Sequence, residues 1–313
     1  MMTLKKAKRY LALQAMNTDI VIHGTTCTSN WTEEIKQWFK DFEHHYSRFQ
    51  PNNRLERFHQ AKDFVVVEPE LFDLVKDAID YARYTDWYFN PFIRKRLEAL
   101  GYDRSFEWVQ DGWTNDNLDH FHPLPDEPYK FYPAIHAIEK LVTEPIDLGG
   151  IGKGWSVDRA AKMMKNNYDI TEGMINAGGD LCIWGENEKN IGIADPFNEN
   201  NDLAHCTLKN AAAATSNKVF RSWKGKNNIH LHHLLHGKTG VPADSDVVQA
   251  TVFGHSAAEC EVIAKVLCML PFTKGISWLE EKFPTAACVL VNEDGRIAFS
   301  RTINHFVRKL ELA

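Results

Sequence analysis

At 313 residues the chain can bury a large core, as one domain or as two intimately packed ones. Apolar residues make up 44% and charged residues 25%, ordinary values for a globular protein, and a net charge of −6 gives no electrostatic case for nucleic acid. No run of about 18 apolar residues is present, so no membrane-spanning helix is expected.

In chain order, the basic start from Met1 to Tyr10 is not followed by the apolar region and small-residue cleavage site of a secretory leader, which makes the cytoplasm the expected compartment. Thr18 to His23 alternates and is β-branched, a strand pattern. Asn30 is placed to cap a helix, with Glu33 at the capping-box position, and Ile35, Trp38, Phe39, Phe42, Tyr46 and Phe49 keep helical spacing on one face. Ser47 to Leu55 breaks that pattern with a turn. Pro69 opens a second helix whose apolar stripe is Leu71, Leu74, Val75, Ala78, Ile79 and Ala82. Trp87 to Phe92 is an aromatic turn that can plug the core or stack on a planar ligand, the core being the commoner use. From Asp103 to Pro133 the chain is polar, Trp-rich and without period, a long surface excursion of the kind that often carries function.

Ile138 to Ile146 is a β-like run that enters Asp147-Leu148-Gly149-Gly150-Ile151-Gly152-Lys153-Gly154, after which Val157, Ala160, Ala161 and Met164 mark a helix. Glycine lets backbone N–H groups approach a ligand, and a helix start adds the positive end of its dipole, so the stretch is a candidate anion cradle. It is not a Walker A loop, because Gly154 follows Lys153 where Ser or Thr is needed, and it lacks the βαβ setting of a dinucleotide fingerprint. A bare turn between strand and helix requires neither Asp147 nor Lys153, and those two charges favour function.

Met174 to Gly185 reads as strand, glycine turn, strand, and short strands follow at Ile191–Ala194, Cys206–Leu208, Ala211–Thr215 and Ile229–Leu235. Val247–Gly254 is another strand, Ser256 caps a helix running to about Leu270, and Asn292-Glu293-Asp294-Gly295 turns a closing hairpin between Cys288–Val291 and Arg296–Ser300. Helices come singly among short strands, without regular βαβ alternation, so the class is α+β. The six cysteines form no CxxC pair and several sit in apolar runs, which makes them buried reduced thiols. His230, His232, His233 and His236 have no Cys or carboxylate at ligand spacing, so one catalytic or ligand-binding histidine is a better reading than structural zinc.

Seven blocks stand out in order: Met16-Asn17-Thr18; Ser47-Arg48-Phe49 with Asn53; Phe89-Asn90-Pro91; Asp147 to Gly154 with Val157-Asp158-Arg159-Ala160; Asn176-Ala177-Gly178-Gly179-Asp180; Ala214-Thr215-Ser216 with Arg221; and His233 to Ala243. Together, over nearly the whole chain, they resemble the ApbE-type flavin transferases, the FAD:protein FMN transferase family. The resemblance implies an ApbE-like, T-fold-related α+β fold of antiparallel sheets with packed helices, as a single domain over residues 1–313 with about 103–133 as its excursion. It implies FAD as substrate, a flavin-acceptor protein as partner, and transfer of FMN to a Ser or Thr hydroxyl with AMP leaving. By position Met16, Phe49, Tyr88, Phe89, Asn90, Asp147, Lys153, Gly179, Asp180 and Leu235 would line the FAD site, and His233 would be the catalytic base.

The resemblance also implies a magnesium site at the backbone oxygen of Gly150 and at Glu261 and Lys265, where the family has Asp and, four residues on, Thr. Magnesium takes oxygen ligands, and an ammonium supplies none and repels the ion. Glu261 and Lys265 have the spacing of an ordinary helix ion pair, worth about 0.3–0.5 kcal/mol. His236-Gly237 in place of Asp-Pro, and Asn90 in place of the Asp of the aromatic turn, remove more negative charge. The metal site is therefore expected to be degraded. Three outcomes stay open: Lys265 takes over part of the role of magnesium, transfer is lost and flavin binding or another role remains, or FAD is hydrolysed to FMN and AMP.

Overall fold

A computed structural model describes residues 7–26, 31–109, 121, 124–225 and 230–313. The expected cap Asn30, Cys27 and the middle of the expected excursion lie outside the described residues.

Strands β1 (Ala7–Ala15) and β2 (Thr18–Thr26) form a hairpin through Met16 and Asn17, both left-handed at φ 54° and 55°. Helix α1 (Trp31–Tyr46) buries Ile35, Phe39, Phe42 and Tyr46 of the expected stripe but ends before Phe49, which lies in the turn that follows. Helix α2 (Arg54–Gln60) occupies part of that stretch, capped by Asn53, whose side-chain oxygen accepts the Glu56 N–H at 2.8 Å. Next come β3 (Phe64–Val66) and α3 (Pro69–Tyr84), which buries its whole predicted stripe. A 3-10 turn at Pro91–Ile93 leads into the short α4 (Arg94–Ala99).

The expected excursion ends early. Strand β4 (Tyr129–Tyr132) pairs with β5 (Ala137–Lys140) and buries Tyr129, so its backbone groups are satisfied by a ladder rather than by water. Helix α5 (Gly152–Tyr168) precedes a run of strands: β6 (Glu172–Ala177), β7 (Asp180–Trp184), β8 (Lys189–Asp195), β9 (Asn198–Leu208), β10 (Ala212–Asn217), β11 (Ser222–Lys224), β12 (His230–His232) and β13 (Val247–Gly254). Helix α6 (Ala257–Leu267) stops short of Leu270, and Pro271 caps a separate α7 (Phe272–Lys282). The closing hairpin is β14 (Ala287–Asn292) with β15 (Ile297–Phe299), followed by β16 (Val307–Leu312).

The chain folds into two compact units, each built from separate stretches of the sequence. The first comprises Met1–Asp41, Lys153–Asn217 and Ser245–Ala313. Its eight-stranded sheet runs β1-β2-β6-β7-β10-β13-β14-β15, antiparallel at each pairing. Side chains alternate across a strand, so Leu181, Ile183, Ala213, Phe253, Ala287 and Val289 share one face, and they pack on Ile193, Ala204, Cys206 and Leu208 of the β16-β9-β8 sheet. Helix α6 packs on β10 and β13. Cys182, Cys206, Cys260, Cys268 and Cys288 are buried and in no disulfide, and burial pushes the Cys182 and Cys288 thiols up to about 12. They are packing residues.

The second unit comprises Phe42–Gly152 and Lys218–Asp244. It holds the three-stranded sheet β3-β5-β4 and the β11-β12 hairpin. Its cluster of Leu97, Leu100, Tyr102, Trp223, Leu231 and Leu235 is pinned by the Trp223 indole N–H, which donates to the Leu100 carbonyl at 2.9 Å. The α+β class expected from the sequence is the class found. Among the described residues no helix is long and apolar enough to cross a membrane.

Candidate functional site

In the first unit, β2 and β6 pair with Ile20 opposite Ala177, which brings the β1–β2 and β6–β7 turns to the same end of the sheet. Gly178 and Gly179 turn the second hairpin at φ +62° and +97°, a conformation that glycine enters freely, and a side chain on Gly178 would collide with Thr18 Oγ1. The Gly179 N–H donates to Asn176 Oδ1 at 2.9 Å, and Asp180 opens β7 directly after it.

Lys153, in the first turn of α5, donates to the Asp180 carboxylate and lies 3.2 Å from Glu261 Oε1. Lys265 Nζ is 2.9 Å from the same Oε1, while Glu261 Oε2 accepts the Gly154 N–H at 2.8 Å. Glu261 and Lys265 are therefore not the surface pair their spacing suggests. Asp180 and Glu261 are each 1% exposed, and α6 buries Lys265 as well. Two ammoniums face two carboxylates, a set that balances its own charge. Burial pushes Asp180 up, to about 6, against the pull of Lys153. Burial acts the same way on Glu261, but Lys153, Lys265 and the Gly154 N–H outweigh it and hold that carboxyl low, at about 2. Ser156 Oγ donates to the Lys153 carbonyl at 2.6 Å and lies 3.8 Å from the Met16 sulfur, which fixes Met16 beside the start of α5.

Helices α5 and α6 meet without room to spare. A side chain at Gly154 would collide with the backbone of Ala257 and Ala258. Asp158, one turn further along α5, accepts the N–H groups of Ala257 and Ala258 at 2.9 and 3.0 Å and the Ser256 hydroxyl at 2.7 Å. Gly154 thus answers to helix packing, which is why no Ser or Thr follows Lys153.

In the second unit, Asp147 is buried and its Oδ2 is 2.8 Å from Arg48 Nε. The Arg48 guanidinium sits over the rings of Phe49 and Tyr102, at 4.3 and 4.6 Å from their centroids, and Nη1 donates to the Tyr102 carbonyl at 2.7 Å. Asp147 Oδ1 accepts the Gly149 N–H at 2.5 Å, and the Ile151 and Gly152 N–H groups donate to the Leu148 carbonyl. Most of the glycine-rich stretch is thus self-bonded: the N–H groups of Gly149, Gly152 and Gly154 are spent within the protein. The backbone anion cradle expected there is corrected accordingly, since these donors serve the turn and Glu261. Gly150 backs onto Phe89, whose ring a side chain at that position would strike.

Asn90 is also committed locally. Its Nδ2 donates to the Gly237 carbonyl at 2.7 Å and its Oδ1 accepts the Phe92 N–H at 2.9 Å. Gly237 leaves no space for a side chain against the Trp87 and Tyr88 carbonyls, and its own N–H donates to Tyr88 O at 3.1 Å. The departures at Asn90 and Gly237 are therefore one coupled local structure. Tyr88 carries His236 edge-on at 5.1 Å and the Lys238 ammonium 4.6 Å above its ring. Leu235 is buried in the Leu97–Trp223 cluster and bridges Pro242.

His233 is half-buried, with Nδ1 3.4 Å from the Arg221 carbonyl. A carbonyl only accepts, so Nδ1 is the donor and the neutral ring carries its lone pair on Nε2. His232 is the deeper neighbour: burial lowers it to about 4, and its Nε2 donates to the Ala243 carbonyl at 3.1 Å. Among the ten FAD-lining positions expected from the sequence, Met16, Lys153, Gly179 and Asp180 fall in the first unit. Phe49, Tyr88, Phe89, Asn90, Asp147 and Leu235 fall in the second, with His233 and Gly150. The sequence blocks contain Arg48 and Asp158 without a role for either, and Ser156 lies in none of them. The charge of a buried Asp147 demands a partner, and Arg48 sits inside a block already singled out.

The residues at the implied magnesium positions do not fit that ion. Magnesium needs oxygen donors at about 2.0–2.1 Å in octahedral array. Glu261 Oε1 already receives two ammoniums and Oε2 an N–H, and a charged Lys265 has no lone pair to give.

The sheet, with α6 packed on it and the Lys153–Asp180 pair at its hairpin end, makes this an α+β fold with a charged cluster beside the α5 start, and the same fold is found in ApbE-type proteins. It superimposes on the crystal structure of the ApbE protein from Thermotoga maritima with a TM-score of 0.82 and 25% identity, covering 97% of this chain and 100% of that one. The FAD:protein FMN transferase of Treponema pallidum is 22% identical over 266 residues, 79% of this chain and 72% of that protein. The enzyme of the same description from Vibrio cholerae is 21% identical over 279 residues, 84% and 80% of the two chains. The profile of the ApbE family matches residues 16–290, and the chain belongs to that family.

Proposed function

We propose that this chain transfers FMN from FAD to a Ser or Thr hydroxyl of an acceptor protein. The observation that supports it most is the family match across residues 16–290, whose curated relatives are FAD:protein FMN transferases, together with the Lys153–Asp180 contact inside the matched region. The acceptor hydroxyl attacks the phosphorus on the riboflavin side of the pyrophosphate. A new P–O bond forms to the acceptor, the anhydride P–O bond breaks, and AMP leaves with the bridging oxygen. Such a displacement needs positioned positive charge and an in-line nucleophile more than covalent help from the protein. His233 takes the hydroxyl proton on Nε2, its ring held by the Nδ1 contact to Arg221. The Lys153 ammonium supplies positive charge for the anhydride oxygens, and Phe49 and Tyr88 supply aromatic surface for the flavin or adenine.

The test incubates the protein with FAD and a Ser/Thr-containing acceptor, following AMP by chromatography and attached flavin by mass. AMP together with an acceptor heavier by FMN supports transfer. AMP without attached flavin points to hydrolysis by water, and no AMP with FAD retained leaves a binding protein.

A further inference from the structure

We infer that Lys265 holds the position of the divalent cation in this chain, so that the site binds FAD, and cleaves it, through a built-in ammonium pair with no magnesium. The cleavage half rests on the transferase reading above; the binding half does not.

Three observations carry it. The first is occupancy. Lys265 Nζ and Lys153 Nζ both sit on Glu261 Oε1, at 2.9 and 3.2 Å, and Gly154 N–H holds Oε2 at 2.8 Å. A metal ion would have to evict Lys265 from the oxygen that α6 aims it at. The second is charge. Lys153 and Lys265 balance Asp180 and Glu261, and adding a divalent ion would leave two uncompensated positive charges in a buried setting, which is unfavourable because the ion gives up its hydration there. The third is orientation. The carboxylate side chains of Asp180 and Glu261 are 1% exposed, while those of Lys265 and Lys153 are 11% and 17% exposed. The ammoniums are the outer members of the cluster, Lys153 more than Lys265, and the carboxylates the inner ones. What approaches such a surface favourably is an anion with several oxygens, such as a pyrophosphate.

Lysine suits this use. An ammonium is a compact point charge with three donors and no demand for octahedral ligands. With Lys265 four residues after Glu261 on α6, the same glutamate anchors both ammoniums. The glutamate is itself locked to α5 through Gly154, so the pair of cations is positioned before any ligand arrives.

The test has a binding arm and a turnover arm. Mn²⁺ is titrated onto the full chain, with and without FAD, and followed by its electron paramagnetic resonance. FAD affinity is measured by flavin fluorescence in EDTA and in Mg²⁺, and AMP release is compared in the same two buffers. The expected result is no saturable Mn²⁺ site into the millimolar range, with FAD affinity and AMP release the same within about twofold in both buffers. A stoichiometric Mn²⁺ site on the native chain overturns the inference. So does FAD affinity or AMP release that drops about tenfold or more in EDTA and returns with Mg²⁺. If AMP appears in no arm, the transferase reading fails while the Mn²⁺ and FAD titrations still decide this one. Lys265→Met, checked for native fold by circular dichroism, is expected to weaken FAD binding about tenfold or more, with no rescue by Mg²⁺. Unchanged FAD affinity in that folded variant overturns the assignment of Lys265.

Discussion

Glu261→Gln tests whether the four-charge cluster is a balanced unit. In the native chain the two carboxylates and two ammoniums cancel, and both Glu261 oxygens are engaged. The amide removes the negative charge and one acceptor. Its single oxygen can serve the Gly154 N–H or the ammoniums, but not both, and its NH2 then faces a donor. The cluster is left with two positive charges against one negative at a site 1% exposed. Breaking one side of a buried pair costs about 3–5 kcal/mol. The expected loss of unfolding free energy is in that range, read from urea denaturation, with a fall in Tm of roughly 2–4 °C per kcal/mol for a chain of this order of size. The double change Glu261→Leu with Lys265→Met deletes one charge of each sign and leaves Lys153 opposite Asp180. It is therefore expected to cost less than Glu261→Gln alone. A single-variant loss under about 1 kcal/mol, or a double variant less stable than the single, refutes the balanced-cluster reasoning.

Gly154→Ala drives a methyl group into the Ala257 carbonyl, and a loss of about 2–3 kcal/mol is expected from thermal or urea unfolding. His59 and His232 are both lowered to about 4, first by burial and then by nearby cations. Each favours the neutral ring in the folded state, so its contribution is complete above pH 6.5 and is lost as pH falls toward 4. That amounts to about 3 kcal/mol per histidine, and His232→Gln should flatten the stability profile measured between those limits. Asn90→Asp sets a carboxylate oxygen against the Gly237 carbonyl in place of an N–H donor, and unfolding should become easier by about 2–3 kcal/mol, less if the acid takes a proton as pH is lowered. His233→Ala should lower AMP release by about 10²–10⁴-fold while FAD affinity, read by fluorescence, stays within a few-fold. Equal losses in binding and turnover would assign His233 to binding instead.

Elements with long stripes were legible in the sequence. Helix α3 buries every predicted position, and β13 spans the predicted Val247–Gly254. Short elements were not: α2 and α4 carry few apolar residues, and β4 and β11 are too brief to show alternation, so tertiary contacts rather than local pattern decide them. Pro271 signals the break between α6 and α7, a signal the apolar run through Leu270 masks. At the site, the positions of Lys153, Asp180 and Glu261 could be marked individually. Their convergence could not, because the partners lie 27 and 108 residues from Lys153 along the chain. The Glu261–Lys265 spacing was visible and pointed to a solvated pair. Burial, which spacing does not report, reverses its meaning. The self-bonded glycine stretch shows the same limit, since sequence reveals where amides can approach a ligand but not which acceptor has already claimed them.

The joint between α5 and α6 makes the two helices one cooperative element. The first amides of α6 are capped by Asp158 of α5, and Gly154 of α5 is clamped by Glu261 of α6, so each helix end is completed by the other. Fraying of α6 at its start would expose a buried carboxylate on α5, and unwinding of α5 would strand Glu261. Local opening is therefore costly at both ends together, and the amides of Gly154, Ala257 and Ala258 should share one opening free energy in hydrogen–deuterium exchange. A hinge or a register slip cannot be placed at this joint without dismantling the charge cluster it holds.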